Sequence, residues 1–534
     1  MKNILKITVV LATLVSLTTT SCVKDIDPTG STITLDQVNA SAGAMEAMVK
    51  SIHAYETNYS SSWAEAAPHL FGFPSMCIVR DVWCQDMPGN ESAYNWFEPF
   101  ETNQYMNGIY AHMQIMWLWY TKWLALANDI IRMYPNVDEV PEHFRNYVGC
   151  AYAYRAWAWL DLGQIHEFKA NKYTSKDGIE GLTIPYLHEN ITEEQARSNP
   201  RLPKAELLEK IFATLDVAIE LLEGFESANK TLPTQAVAYG LQARANLWAG
   251  DYAAARTSAE NALAAGSFSP LTQEQWTNTS TGFNSASTNS SWMVCCTASQ
   301  ETNHVKSKNN NTVSWLAPET SYGYTSYGTY RLADARFYEA IPDTDFRKLS
   351  WKAPAGSSLE VPYLAATGAY KGSSVLPDLA GIKFRPGQGN VNDYLIGASI
   401  DYPMMRMEEM KFIIAECDAR DGSSAALVEI VKTRNPEYTC NYTGNDLLRE
   451  VFFQKRVEFW GEGVMFFDYK RCPDLLQITR GYKGTNHAPL ARLNCEGLAP
   501  WFNVCINEYE AMDNTALTDT NNPDPSNSVE VWTE

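Results

Sequence analysis

Basic residues are the scarce ones in this chain. Lys and Arg number 42 against 62 Asp and Glu, a formal charge of −20, or about −22 once Lys2 and Lys6 at the extreme N-terminus are set aside. A nucleic-acid partner needs a basic footprint, and this balance argues against one. It also mildly disfavours polyanionic ligands. Catalytic signatures are missing as well: there is no GxSxG, no HExxH and no glycine loop of the phosphate-cradling kind. The 11 cysteines include no CxxC or Cys/His pair at metal-ligand spacing, which removes zinc-type sites. Cys77 and Cys84 are seven apart and Cys295 and Cys296 adjacent, so isolated buried thiols are expected more than a disulfide framework. EF-hand spacing is absent, although the many acidic residues leave a structural calcium open; no other cofactor is expected. Beyond the N-terminus, no apolar run approaches the roughly 20 residues that cross a bilayer.

What is present begins with an export signal. Lys2 and Lys6 form a basic start, residues 7–17 an apolar stretch too short and too rich in Thr and Ser to span, and Thr20 and Ser21 precede Cys22. Residues 1–21 therefore read as a lipoprotein signal peptide, with Cys22 the residue acylated after cleavage. Thr19 stands where Leu is usual. Several acyl chains together give stable anchoring to an outer membrane, where one chain binds marginally. The polar, Pro/Gly-containing residues 22–35 suit a flexible tether.

Helical spacing of apolar residues marks 40–59, 103–134, 144–168, 204–223, 233–250, 252–265 and 445–460. AYAYRAWAWLDL, with its alternation of Ala and aromatics, admits a strand, but its length and Ala content favour a helix buried nearly all round. In AVAYGLQARANLWAGDYAAARTSAENALAAG one helix closes at Gly250-Asp251 and another starts at once. Ala243, Ala255 and Ala262 fall where a tetratricopeptide hairpin needs close helix approach. The Met run at 404, 405, 407 and 410 reads as core filling. Residues 267–400 are rich in Gly, Ser, Thr, Asn and Tyr, with short strand-like runs such as WMVCC, and read as a loop-rich insertion. The expected organisation is thus an N-terminal helical region over 36–266, the insertion, a helical and irregular region over 401–513, and a weakly ordered tail over 514–534.

An ordered set of stretches resembles the SusD/RagB family of surface glycan-binding lipoproteins. They are FGFPSMCIVRDVWCQDM, ALANDII, AYAYRAWAWLDLGQIHEF, RLPKAELLEKIFATLDVAIELL, the hairpin over 233–265, DYPMMRMEEMKFIIAECDAR and LLREVFFQKRVEFWGEGVMFFDYKR. The first looks like that family's early strand-and-loop, and the set covers nearly the whole mature chain. Cys417 departs from the family, which more often has Ala there. The resemblance implies a mainly α fold: a tetratricopeptide-like scaffold of helical hairpins, an α-α superhelix, with a loop-rich, short-stranded ligand-binding subdomain. It implies a non-catalytic protein on the outer face of the cell that captures oligosaccharides and passes them to a SusC-like TonB-dependent transporter.

Holding a sugar without cutting it takes flat aromatic faces and planar polar side chains, and two regions offer both. RDVWCQDMPGNESAYNWF supplies Arg80, Trp83, Tyr94, Asn95 and Trp96; TVSWLAPETSYGYTSYGTYR supplies Trp315, Tyr322, Tyr324, Tyr327 and Tyr330. Flanked by Gly, Ser and Asn, these aromatics lack the spacing of a core helix and are expected at the surface, where they would otherwise only pin their loops. Trp292, in a strand-like run, is expected in the core. Glu458 and Glu462 stand at i,i+4, a spacing that invites a glycosidase reading. Lys455, Arg456, Lys470 and Arg471 around them point instead to a structural ion-pair network. His166, Glu167 and His487 are expected in satisfied surface roles. A peptide- or protein-binding lipoprotein on the same scaffold is the alternative reading, and a surface glycoside hydrolase a remoter one.

Overall fold

A computed structural model of the chain describes residues 41, 43–58, 68–92, 94–359 and 376–534. These fall into a short unit ending at Ala47 and a main unit, Met48–Glu534, whose fold is described below. Cys22, with the signal and tether, lies outside the described residues.

The helices are α1 (Ala44–Tyr55), α2 (Phe73–Trp83), α3 (Ala111–Met133), α4 (Arg145–His166), α5 (Lys204–Leu221), α6 (Gln235–Ala249), α7 (Tyr252–Ala264), α8 (Met407–Arg420), α9 (Ala425–Lys432), α10 (Gly444–Phe459) and α11 (Met465–Arg471); α1, α3 to α7 and α10 fall in the segments marked by apolar spacing, and α8, α9 and α11 lie outside them. Two differ from expectation. α3 starts at Ala111 rather than near residue 103, because Asn103 and Tyr105 adopt positive φ (51° and 58°), which a right-handed helix cannot continue through. The stretch 71–87, expected as strand and loop, is mostly α2. Every residue of α2 is buried, so no exposed stripe reveals its period.

From α3 to α8 each helix packs on the one before it, and α9 and α10 both pack on α8, the order of a hairpin superhelix. α4 is its axis. All of Val148–His166 is buried, which is why its sequence alternates small Ala with large rings instead of showing a polar face. The α6–α7 turn forms as its composition dictates. Gly250 closes α6 in the left-handed conformation (φ 83°), and the Asp251 side chain accepts the Ala254 N–H to open α7. Ala243, Ala255 and Ala262 are fully buried between the helices. The Met side chains at 404, 405, 407 and 410 are core.

The insertion returns to the scaffold through a two-stranded antiparallel sheet. β3 (Trp292–Thr297) is the WMVCC run, and β4 (Asp401–Arg406) leads directly into α8, with Trp292 opposite Arg406. A second small sheet pairs β1 (Leu182–Pro185) with β2 (Arg201–Pro203). Beneath β4 lies a buried charge network. Arg406 bonds Glu462 (2.8 Å), Glu458 (3.0 Å) and Glu408 (2.9 Å); Arg434 bonds Glu408 and Glu458; Arg347 reaches Glu458, and Lys383 Glu462. Arg347 and Lys383 come from the insertion, the glutamates from the helical scaffold, so the network rivets one to the other. Trp276 lies under Arg406, Arg434 and Lys383 and donates its indole N–H to Ser350 Oγ.

The tail is not loose. Asn522 donates to the carbonyls of His166 and Val504, Arg201 donates to Asn522, and Trp532 N–H bonds Arg492. Such fixed hydrogen bonds to buried backbone are invisible to a composition that merely looks polar. The ten described cysteines are free thiols, nine of them buried.

Candidate functional site

The two aromatic stretches, some 240 positions apart in sequence, meet on one surface. Asn90 ties them: its side chain donates to Gly328 O (2.7 Å) and accepts from Tyr330 N (2.6 Å). Ser92 and Thr329 hydroxyls meet at 2.8 Å, and Gly89 bridges to Arg331. Arg331 underpins the junction, its guanidinium bonded to both Glu101 and Asn95 and lying over the rings of Phe97 and Trp315. Gly323 (φ 77°) starts the Tyr324–Tyr327 turn where a side chain would strike Ser314 Cα at 2.6 Å, so the turn can sit flat on the loop below.

On that base three rings face solvent: Tyr94 is 52% exposed, Trp96 47% and Tyr327 57%. Tyr94 and Tyr327 lie 5.6 Å apart between centroids, one from each stretch. Trp96 stacks against His69 (6.3 Å, 23°). Tyr324, half-buried, stacks on buried Trp315 at 4.4 Å. Burial, then neighbouring Tyr327, pushes the Tyr324 phenol up to about 12 against the opposing influence of the Trp96 side chain, so it stays a neutral donor and acceptor. Large apolar rings left exposed side by side mark a binding surface more often than scattered ones do. Asn95, bonded to Glu101 and Arg331, offers a fixed planar amide at the edge.

The other sequence candidates are elsewhere or underneath, and for them the expected exposure does not hold. Trp83 ends α2 fully buried against Phe100 and Phe466. Arg80 is buried on Asp161 (3.2 Å), its guanidinium over Phe73 and Phe467. Trp315 donates to Pro68 O from beneath the platform, and Tyr322 is buried with its hydroxyl on Asn390 O. Tyr330 is half-buried at the junction. Trp292 is core, as expected. His166, Glu167 and His487 are buried, not surface residues; burial lowers His166 to about 3 despite the Val504 carbonyl it meets. His69, Asn90, Glu101 and Arg331 were not singled out by composition. The only signal for Arg331 is its place at the end of the second aromatic stretch.

Glu458 and Glu462 do form ion pairs, but with other partners. Lys455 and Arg471 bond Asp468, Arg471 also Glu416, Arg456 bonds Asp86, and Lys470 donates to a backbone carbonyl. Burial alone would raise the Glu458 carboxyl, but Arg434, Arg406 and Arg347 overcome it and hold it far below the carboxylate range. A carboxylate so held is no proton donor at neutral pH. Among the described residues no group of three His, Cys, Asp or Glu is placed to hold a metal ion.

His69, and His112 on the far side of Phe100, are each lowered to about 4 by burial, His69 further by His112. Both are neutral through pH 5–8, so ligand affinity at the platform is expected to be flat across that range. Their folded values lie below the ordinary 6.5, so the folded state binds fewer protons and loses stability as pH falls from 6.5 towards 4. Urea unfolding of the native chain beside a His69→Gln/His112→Gln variant checks this. The native chain should lose more stability than the variant between those pH values; a pH-independent difference would refute it.

A superhelix of hairpins thus bears a loop-built aromatic surface, and the Glu458–Glu462 carboxylate pair is locked in ion pairs. The SusD family model matches residues 381–531. Solved structures agree on the fold. A SusD-like carbohydrate binding protein from Bacteroides vulgatus is 20% identical with a TM-score of 0.69, covering 90% of this chain and 98% of that one. A SusD superfamily protein from Bacteroides thetaiotaomicron is 16% identical (TM-score 0.65; 92% and 100%). Surface glycan-binding protein A from the same organism, solved with laminarihexaose, is also 16% identical (TM-score 0.62; 90% and 98%). No curated protein matches the chain.

Proposed function

We propose that this protein is a non-catalytic, cell-surface glycan-binding lipoprotein that captures oligosaccharides on the Tyr94–Trp96–Tyr327 platform and delivers them to a SusC-like TonB-dependent outer-membrane transporter. The observation that carries the reading is the platform itself. Two loops distant in sequence are clamped together so that three half-exposed rings share one surface, with Asn95 and Tyr324 as polar edges. Aromatic faces cover the apolar C–H faces of a sugar ring while amide and phenol meet its hydroxyls. The laminarihexaose held by a structural neighbour supports an oligosaccharide, and a neutral one, as the ligand class. Anchoring rests on Cys22 and the signal before it, and no helix of the described residues is long and apolar enough to cross a membrane. Handover to a transporter is the reading that the SusD family match over residues 381–531 supports.

Affinity electrophoresis of the chain without its signal against a polysaccharide panel tests the capture step. Retardation by at least one neutral glycan is expected. No retardation across the panel, with binding to an unstructured peptide library instead, would replace the glycan by a peptide; shortening of a polymer would reveal a hydrolase.

A further inference from the structure

Away from the platform, the end of α4, the α6–α7 turn and α11 enclose a cavity of about 190 Å³. In a chain of charge −20 its lining is basic: Lys169, Lys204, Lys470 and Arg471 face a single carboxylate, Glu167. Arg471 is committed to Glu416 and Asp468. The three ammonium groups are not. Lys470, only 3% exposed, donates to Ile165 O (3.0 Å), and Lys169 to Lys470 O (2.8 Å). Lys204 has Glu167 no nearer than 3.9 Å and otherwise sits over the Trp248 ring. Glu167 is itself engaged by the Trp248 indole at 2.9 Å. Among the described residues, neither Lys169 nor Lys470 has a carboxylate within ion-pair distance.

Three ammonium groups around one shared carboxylate, one of them buried with only a carbonyl for company, is an expensive arrangement unless an anion completes it. The cavity has room for one with waters, each of which takes about 30 Å³. We propose that it binds an oxyanion, the sulfate, phosphate or carboxylate group of an acidic ligand, between Lys169, Lys204 and Lys470. The state of Lys470 agrees. Burial pushes it well below the ordinary ammonium range, Glu167 pulls it back, and Lys169, Arg201 and Lys204 push it down further; a bound anion would favour its charged form. The site is separate from the aromatic platform and does not depend on what the platform holds.

Thermal unfolding of the full mature chain in sodium sulfate, phosphate or glucuronate, against chloride at matched ionic strength, tests it. A saturable rise of about 3 °C at one hundred times Kd is expected for a chain of this size. Lys169→Gln/Lys204→Gln should abolish the rise without altering the circular dichroism. Lys470→Met, which removes the costly ammonium, should unfold at a higher temperature in chloride and respond weakly to the oxyanions. Tighter response to glucuronate assigns the site to a sugar acid, tighter response to sulfate or phosphate to an inorganic or esterified group. No oxyanion-specific rise in the native chain, or an undiminished rise in the double variant, would overturn the proposal.

Discussion

Replacing Arg406 by Met should lower stability by about 3–5 kcal/mol, the largest single loss expected anywhere in the chain. Arg406 is wholly buried and meets Glu408, Glu458 and Glu462 at once, while its guanidinium lies over Phe459 at 4.7 Å. Removing it does not remove the glutamates. Glu458 keeps Arg434 and Arg347, Glu408 keeps Arg434, and Glu462 is left with Lys383. Arg347 is also paired with buried Asp345, so four carboxylates then face three cations. The cost is therefore that of surplus negative charge in a dry core, which exceeds the net worth of the intact pairs. For a chain of this length that corresponds to a fall of roughly 3–5 °C in Tm. Arg406→Lys, which keeps the charge but loses the two-pronged grip on Glu462, should fall between. An unchanged Tm in Arg406→Met would mean that the network contributes nothing to holding insertion and scaffold together.

The second large effect concerns binding. Trp96→Ala should weaken glycan capture by about 2 kcal/mol or more, a Kd increase of roughly thirtyfold. Trp96 is the largest exposed ring and stacks against His69, so truncation removes a stacking face and uncovers His69 together. Tyr327→Ala removes only a rim ring, which meets Tyr94. It should lose affinity while keeping the native Tm. Tyr322→Phe is the control: buried, with its hydroxyl on Asn390 O, it should leave affinity unchanged. Isothermal titration with the glycan found on the panel distinguishes these. Full affinity in both Trp96→Ala and Tyr327→Ala would move the site off this surface.

How far the sequence could be read follows from what kind of interaction each feature rests on. The α6–α7 hairpin was legible because its determinants are local: Gly250 for the left-handed stop, Asp251 for the cap, and small Ala where helices touch. The WMVCC strand and buried α4 were legible for the same reason. Exposure was not. Trp83 and Trp96 sit thirteen positions apart in similar surroundings, and the packing of Phe100 and Phe466 on Trp83 makes one core and the other surface. The charged residues around Glu458 promised ion pairs, and ion pairs exist, but Arg347, Lys383, Arg406 and Arg434 arrive from distant elements instead. Nor does a single sequence show that residues 90–96 and 324–331 share a surface, because the bonds joining them span the whole fold. The tail looked loose because polar composition does not reveal which asparagine finds a buried carbonyl.

The thiols carry a practical consequence. With ten unpaired cysteines and nine of them sealed in the interior, folding of the described chain includes no oxidation step. Among the described cysteines, an alkylating dye offered to the native state should meet only Cys440. That residue, between α9 and α10 and remote in sequence from both aromatic loops, is a ready-made handle for a fluorophore. A single-dye conjugate made without any engineering would let ligand capture be followed one molecule at a time.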